Sequence, residues 1–137
     1  MKMKQKKVAK LASTGMAATL IGGQTLHSFL DLGIASDMED LKTKGKYEIK
    51  NKVKKLILSM SLIVIDEISM VSDTLFEMIS LRLHQAEFNG TLLVVGDFLQ
   101  LSPVVRGSSE VRFAFESSSW NISAFQKIEL THIYRTD

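Results

Sequence analysis

The sequence predicts an α/β fold: a parallel sheet with helices on both faces. Three observations lead there. Residues 62–65 (LIVI) and 92–95 (LLVV) are continuous β-branched and leucine runs, and runs apolar on both faces suit strands inside a parallel sheet that helices cover from each side. Between them, Leu75, Ile79, Leu83 and Ala86 keep the spacing of one helical face. Residues 62–95 therefore form a strand–helix–strand unit with a right-handed crossover.

The elements follow in chain order. Residues 1–10 hold five lysines ahead of a small-residue stretch, the layout of a secretory leader. The apolar core, residues 16–23, is short and broken by Thr19, and no Ala-x-Ala cleavage site follows. The expectation is a cytoplasmic chain. Residues 7–12 (KVAKLA) read as a weaker third strand, with Val8 and Leu11 apolar and Lys10 intruding. A short helix is expected over residues 25–32, with Leu26, Phe29 and Leu30 along one side. Residues 42–55 carry seven lysines around Gly45 and read as a loop or an exposed helix; one glycine does not decide between them. In the crossover helix Asp73 suits the positive end of the helix dipole, and Asn89-Gly90 marks the turn into the second run.

Composition narrows the class. At 137 residues there is room for one domain, spanning 1–137. With 45% hydrophobic and 23% charged residues the chain is too apolar to be disordered. No run reaches the ~18 apolar residues of a membrane-spanning helix, so no membrane partner is expected. Zero cysteines exclude disulfides, thiolate metal sites and thiol nucleophiles. Charge is uneven: twelve lysines meet five acids in residues 1–55, and five basic residues meet ten acids in residues 56–137. Such asymmetry points to a polyanion partner or, as often, to a solvated lysine face.

Chemistry concentrates where the strands end. Asp66-Glu67 follows LIVI directly. Ligands of open α/β sheets bind beyond the carboxyl ends of the strands. There one carboxylate can hold Mg²⁺ while its neighbour polarises an attacking water, the Walker B arrangement of nucleotide hydrolases. Taken alone, two acids after a strand fit a solvent exit equally well. The second run ends in Gly96-Asp97-Phe98-Leu99-Gln100, an acid and an amide at the adjacent edge of the same crevice. An amide there can bond a phosphate oxygen or the water and report on the terminal phosphate.

The pieces STGMAATLIGGQTLHSF, VIDEISMVS, VVGDFLQLSPV and FESSSW…LTHIYR, in this order, closely resemble the PIF-type DNA helicases (petite integration frequency family). These are superfamily-one motors that run 5′ to 3′ on single-stranded DNA, with RecD-like helicases as near relatives. The resemblance spans the chain apart from residues 42–55. DEISM and GDFLQLSPV together make it specific. It implies a RecA-like P-loop NTPase fold, ATP and Mg²⁺ as cofactors, and single-stranded DNA as partner. Residue by residue, it implies that Asp66 binds metal and nucleotide and that Glu67 is the catalytic carboxylate. Asp97 joins the nucleotide pocket, Gln100 senses the γ-phosphate, and Arg135 stabilises charge on the transferring phosphate. Ser13, Thr14, Gly15, Gly23, Thr25 and His27 would border the DNA and position the strand without reading its sequence. From the residues alone, Arg135 reads as any surface arginine, His27 equally as a half-buried helix histidine, and Phe98 and Trp120 as core aromatics.

The departures matter as much. The phosphate cradle G-x-x-x-x-G-K-[ST] is absent: the only Gly-Lys is Gly45-Lys46, with Tyr47 after it and Asp40 in place of the first glycine. The family pattern would place the cradle before Met1 and a second motor domain after Asp137. Thr136 stands where the family usually has Gln, and Ser102 where it has Pro. The expectation is an internal piece of a first motor domain, lacking its P-loop strand and nearly inactive alone, with a separate chain as a source of the missing parts. The alternatives are a non-catalytic nucleic-acid-binding remnant or a RecD-like fragment. A eukaryotic source would move the expected location to nucleus or mitochondrion.

Overall fold

Strands β1 (Val8–Ala12), β2 (Gln24–Thr25), β3 (Leu62–Ile65) and β4 (Thr91–Val94) pair in parallel in the order β2-β1-β3-β4. The computed structural model describes residues 7–96, 114–117 and 119–120. Register sets the two faces, because paired residues of parallel strands point the same way. Ala9, Ile63 and Leu92 form one row, and Leu11, Ile65 and Val94 the next. This face is the core side: Leu11, Ile63 and Ile65 are fully buried, and burying each such side chain contributes about 1.5–3 kcal/mol.

On the other face lie Val8, Lys10, Val64 and Leu93. Helix α1 (Gly15–Leu20) belongs to that side, since Ile21 just beyond it shares a cavity with Lys10, Val64 and Asp66. Helices α2 (Leu26–Phe29), α3 (Met38–Thr43), α4 (Asn51–Leu58) and α5 (Asp73–Gln85) serve the core side. They contribute Leu26 and Phe29, Leu41, Ile57, and Phe76 with Ile79 to one apolar cluster. The step from β1 to β2 runs opposite to that from β3 to β4, so right-handed crossovers place α1 and α5 on opposite faces. Cover is unequal: Val8 and Leu93 remain 47% exposed, so the apolar runs are less symmetric than their composition suggests.

Strand β3 falls on the expected residues, β1 begins one residue inside the expected stretch, and β4 starts one residue earlier, at Thr91. Ser72 opens α5, its Oγ accepting from the Leu75 N–H, with Asp73 in the first turn. The helix expected over residues 25–32 is shorter, because Asp31 turns left-handed at φ 54° and the Leu32 N–H closes back on the His27 carbonyl. Glu87, at φ 55°, ends α5 the same way, ahead of the Asn89-Gly90 turn. Residues 42–55 are neither pure loop nor one helix: α3 ends, Gly45 closes it, and α4 begins at Asn51.

Arg82, at 1% exposure, fastens the core-side loops to α5. Its Nε donates to the Leu30 carbonyl at 2.7 Å and its two terminal nitrogens to the carbonyls of Asp31, Lys46 and Tyr47. Burial pulls the guanidinium pKa down, partly offset by the Asp31 charge. A second fastening holds Ser117, Ser119 and Trp120: Ser117 Oγ and Ser119 Oγ donate to the Glu77 carboxylate, and Trp120 tilts against Phe76 at 5.2 Å. Trp120 thus packs on α5. Among the described residues no helix is long and apolar enough to cross a membrane.

Candidate functional site

Asp66 and Glu67 leave the carboxyl end of β3 between its two neighbours. The Asp66 N–H donates to the Leu11 carbonyl of β1 at 2.9 Å, and the Ile68 N–H to the Val95 carbonyl beyond β4 at 2.9 Å. The acid pair is therefore pinned from both sides. Asp66 Oδ1 accepts from the Glu67 N–H at 2.9 Å, and among the described residues nothing bonds its second oxygen. Glu67 takes φ 53° and ψ 52°, a left-handed backbone that leads into one 3-10 turn, Ile68–Met70. Both acids are partly exposed. Strained non-glycine backbone that persists is over-determined by its surroundings and concentrates at functional sites.

The neighbouring strand meets the same turn. A methyl placed on Gly96 would lie 2.9 Å from the Ile68 backbone nitrogen, so the GD step can approach the DEIS turn only as glycine. The two sequence motifs are thus physically joined. Asp97 and Gln100, which follow Gly96, and Arg135 lie outside the described residues. A cavity of about 340 Å³ opens beside Asp66, lined also by Lys10, Ile21 and Val64. Lys10 sits there because it occupies the non-core row next to Val64. The sequence flagged it only as an intrusion in a strand.

The six residues expected along DNA fall in one stretch after β1. Thr14 Oγ1 caps α1, accepting from the Ala17 N–H, and Thr25 Oγ1 caps α2, accepting from the Ser28 N–H, each at 3.2 Å. Both hydroxyls therefore serve structure first, and each keeps its O–H as a donor. Gly15 opens α1 in the open, with nothing within 4 Å of an added methyl. Gly23 is compelled: a methyl there would meet the Lys10 carbonyl oxygen at 2.1 Å. Ser13 is half-exposed before the cap. His27 is half-buried on α2, and burial pulls its pKa below the ordinary histidine value. Both earlier readings of His27 fit that position. Arg82 and Glu77, which anchor the surrounding loops, were not legible beforehand; both are polar residues of α5 whose loop partners lie 35 to 52 residues away.

Comparison with known proteins adds an independent line. The family model described as PIF1-like helicase matches residues 1–137. The ATP-dependent DNA helicase Pif1 of Campylobacter jejuni is 46% identical over 143 residues, covering 97% of this chain and 32% of that protein. A Pif1 helicase crystal structure from Candida albicans superposes with a TM-score of 0.74 at 39% identity, over 93% of this chain and 30% of the other. A Pif1 helicase from Bacteroides in complex with ADP-AlF3 and single-stranded DNA reaches 0.77 at 26% identity, over 97% and 34%. The fold is RecA-like, as in these structures. The chain spans about a third of the length of the Campylobacter protein.

Proposed function

The chain belongs to the PIF1-like helicase family, and from that premise we propose that it forms the carboxylate-bearing part of an ATP-dependent 5′-to-3′ DNA helicase motor. That motor couples ATP hydrolysis to movement along single-stranded DNA and to duplex unwinding. The observation that carries the reading is the pinned Asp66–Glu67 turn at the carboxyl edge of a parallel sheet. The donor set suits Mg²⁺. Asp66 offers one unbonded carboxylate oxygen, and no group of three potential ligands occurs among the described residues. Mg²⁺ is commonly held by one or two carboxylates, with water and phosphate oxygens completing its shell.

In the proposed mechanism Asp66 orients the cation, which when bound neutralises charge on the phosphates. Glu67, partly exposed on its left-handed backbone, polarises the attacking water. By family resemblance Gln100 senses the γ-phosphate, Asp97 belongs to the same pocket, and Arg135 offsets charge as the phosphoryl group departs. The stretch of residues 13–27 guides the DNA strand through backbone and hydroxyl contacts. The 137 residues contain no G-x-x-x-x-G-K-[ST] run, so we assign hydrolysis to a motor that includes this chain together with a phosphate cradle. Alone, the chain hydrolyses little or no ATP.

A chimera tests this. Residues 1–137 replace the matching third of the Campylobacter jejuni helicase. The chimera is expected to hydrolyse ATP in a way that single-stranded DNA stimulates, and Asp66→Ala to remove the Mg²⁺ dependence of nucleotide affinity. A folded chimera without DNA-stimulated hydrolysis would refute the reading.

A further inference from the structure

We propose that α4 and the turn before it form a second nucleic-acid surface, which grips phosphates away from the carboxylate edge. Residues 42–55 carry seven lysines and a single acid, Glu48. Some of this charge is matched internally. Lys44 pairs with Asp40 at 3.0 Å, and Lys46 and Lys50 share Asp31 at 3.4 and 3.6 Å. Lys42 lies over the Tyr47 ring at 4.9 Å. Lys52, Lys54 and Lys55 have no acidic partner among the described residues, and all three sit on α4.

The start of the helix also runs against its dipole, although Lys55 sits in the last turn, where the dipole favours a cation. Its N-cap, Lys50, makes no side-chain capping bond, and no acid occupies the first turn. By contrast, α3 opens on Asp37, Glu39 and Asp40, and α5 on Ser72 and Asp73. Cations at the positive end of a helix are unfavourable, and such local conflicts are expected where function sets the residue. A bound polyanion removes the conflict, because each phosphate offsets both the lysines and the helix end.

The platform is fixed. The carbonyls of Lys46 and Tyr47 accept from Arg82, Gln85 donates to Tyr47, and Ile57 is buried in the core. Little backbone order is lost when this surface binds a rigid partner. The anchoring residue, Arg82, lies in the last turn of α5, the end that leads into β4, whereas Asp66 and Glu67 follow the opposite end of the sheet. A strand held on α4 therefore runs outside the nucleotide crevice. The choice of nucleic acid as the polyanion rests on the helicase reading; the surface itself rests on charge and geometry.

Titrating the 137-residue chain into labelled duplex and single-stranded DNA at several salt concentrations tests the proposal. Replacing Lys52, Lys54 and Lys55 together by Gln should flatten the plot of log affinity against log salt by about 2 to 3 units. Low-salt affinity should fall roughly tenfold. The matching Lys→Arg triple keeps the charges and should bind as the parent does, which separates charge loss from damage to the fold. An unchanged slope in a folded Gln triple overturns the proposal. So does lysine-dependent binding to phosphatidylserine vesicles without binding to DNA. Hydrolysis by the chimera is scored separately, so an active chimera with an unchanged salt slope rejects this surface and leaves the helicase reading standing.

Discussion

Two turns leave the carboxyl ends of neighbouring strands and are stabilised in opposite ways. After β1, and again after the short β2, the backbone relaxes into capped helices, with Thr14 Oγ1 and Thr25 Oγ1 each accepting from an exposed N–H. After β3 the acceptor is a carboxylate that holds the very next N–H, and that next residue, Glu67, sits left-handed at φ 53°. The second turn carries a strain of roughly 1–2 kcal/mol for a non-glycine residue; the first carries none of this kind. The difference teaches which polar groups are committed to the fold. The threonines named by family resemblance are partly spent on capping, while one Asp66 oxygen and the Glu67 carboxylate have no fold-related bond among the described residues.

The largest expected effect lies behind the first turn. Arg82→Met strips the Leu30, Asp31 and Lys46 carbonyls of their donor and leaves that of Tyr47 to Gln85 alone, and urea unfolding should show a loss of about 3 kcal/mol or more. Arg82→Lys should recover little, because one ammonium cannot span that fork. A loss below ~1 kcal/mol would show that the carbonyls find other donors and that the loops do not depend on α5.

Next come the caps. Thr14→Ala and Thr25→Ala should each cost about 1 kcal/mol, and Ser at either position should restore most of it. If single-stranded DNA affinity falls with Ala and returns with Ser while stability is held constant by temperature, the free O–H also contacts the strand. If stability moves and affinity does not, the hydroxyls are caps alone.

The smallest effect is that of His27. Burial holds its folded pKa below the ordinary 6.5, so the unfolded chain takes up the proton first as pH falls. This contribution is complete above about pH 6.5, declines as pH drops through that value, and levels off below the folded pKa. His27→Gln should flatten the difference in stability between pH 7.5 and 5.5. An identical slope in both proteins would place the ring in solvent.

The Asp66–Glu67 edge was legible because its signal is local: four apolar residues, then two acids. Helix α1 was not. Its exposed side carries Met16 and Leu20, 79% and 82% exposed, so the rule that apolar residues face inward gives no helical stripe there. Gly45 stood in the sequence as a helix-stop residue without deciding between loop and helix, whereas Asp31 and Glu87 end their helices with the wrong residue type for that geometry. Arg82 and Glu77 act through partners distant in sequence, which no spacing reveals. The roles given to Asp97, Gln100 and Arg135 rest on resemblance, and those residues lie outside the described ones.

The central claim is that the strained turn after β3 exists to present Glu67 to a water at a nucleotide. Glu67→Gln in the Campylobacter chimera tests it most directly, with hydrolysis, nucleotide affinity and melting temperature measured on one preparation. The account predicts a fall in DNA-stimulated hydrolysis of at least about 100-fold, with affinity and melting temperature unchanged. Hydrolysis within a few-fold of the parent would contradict it.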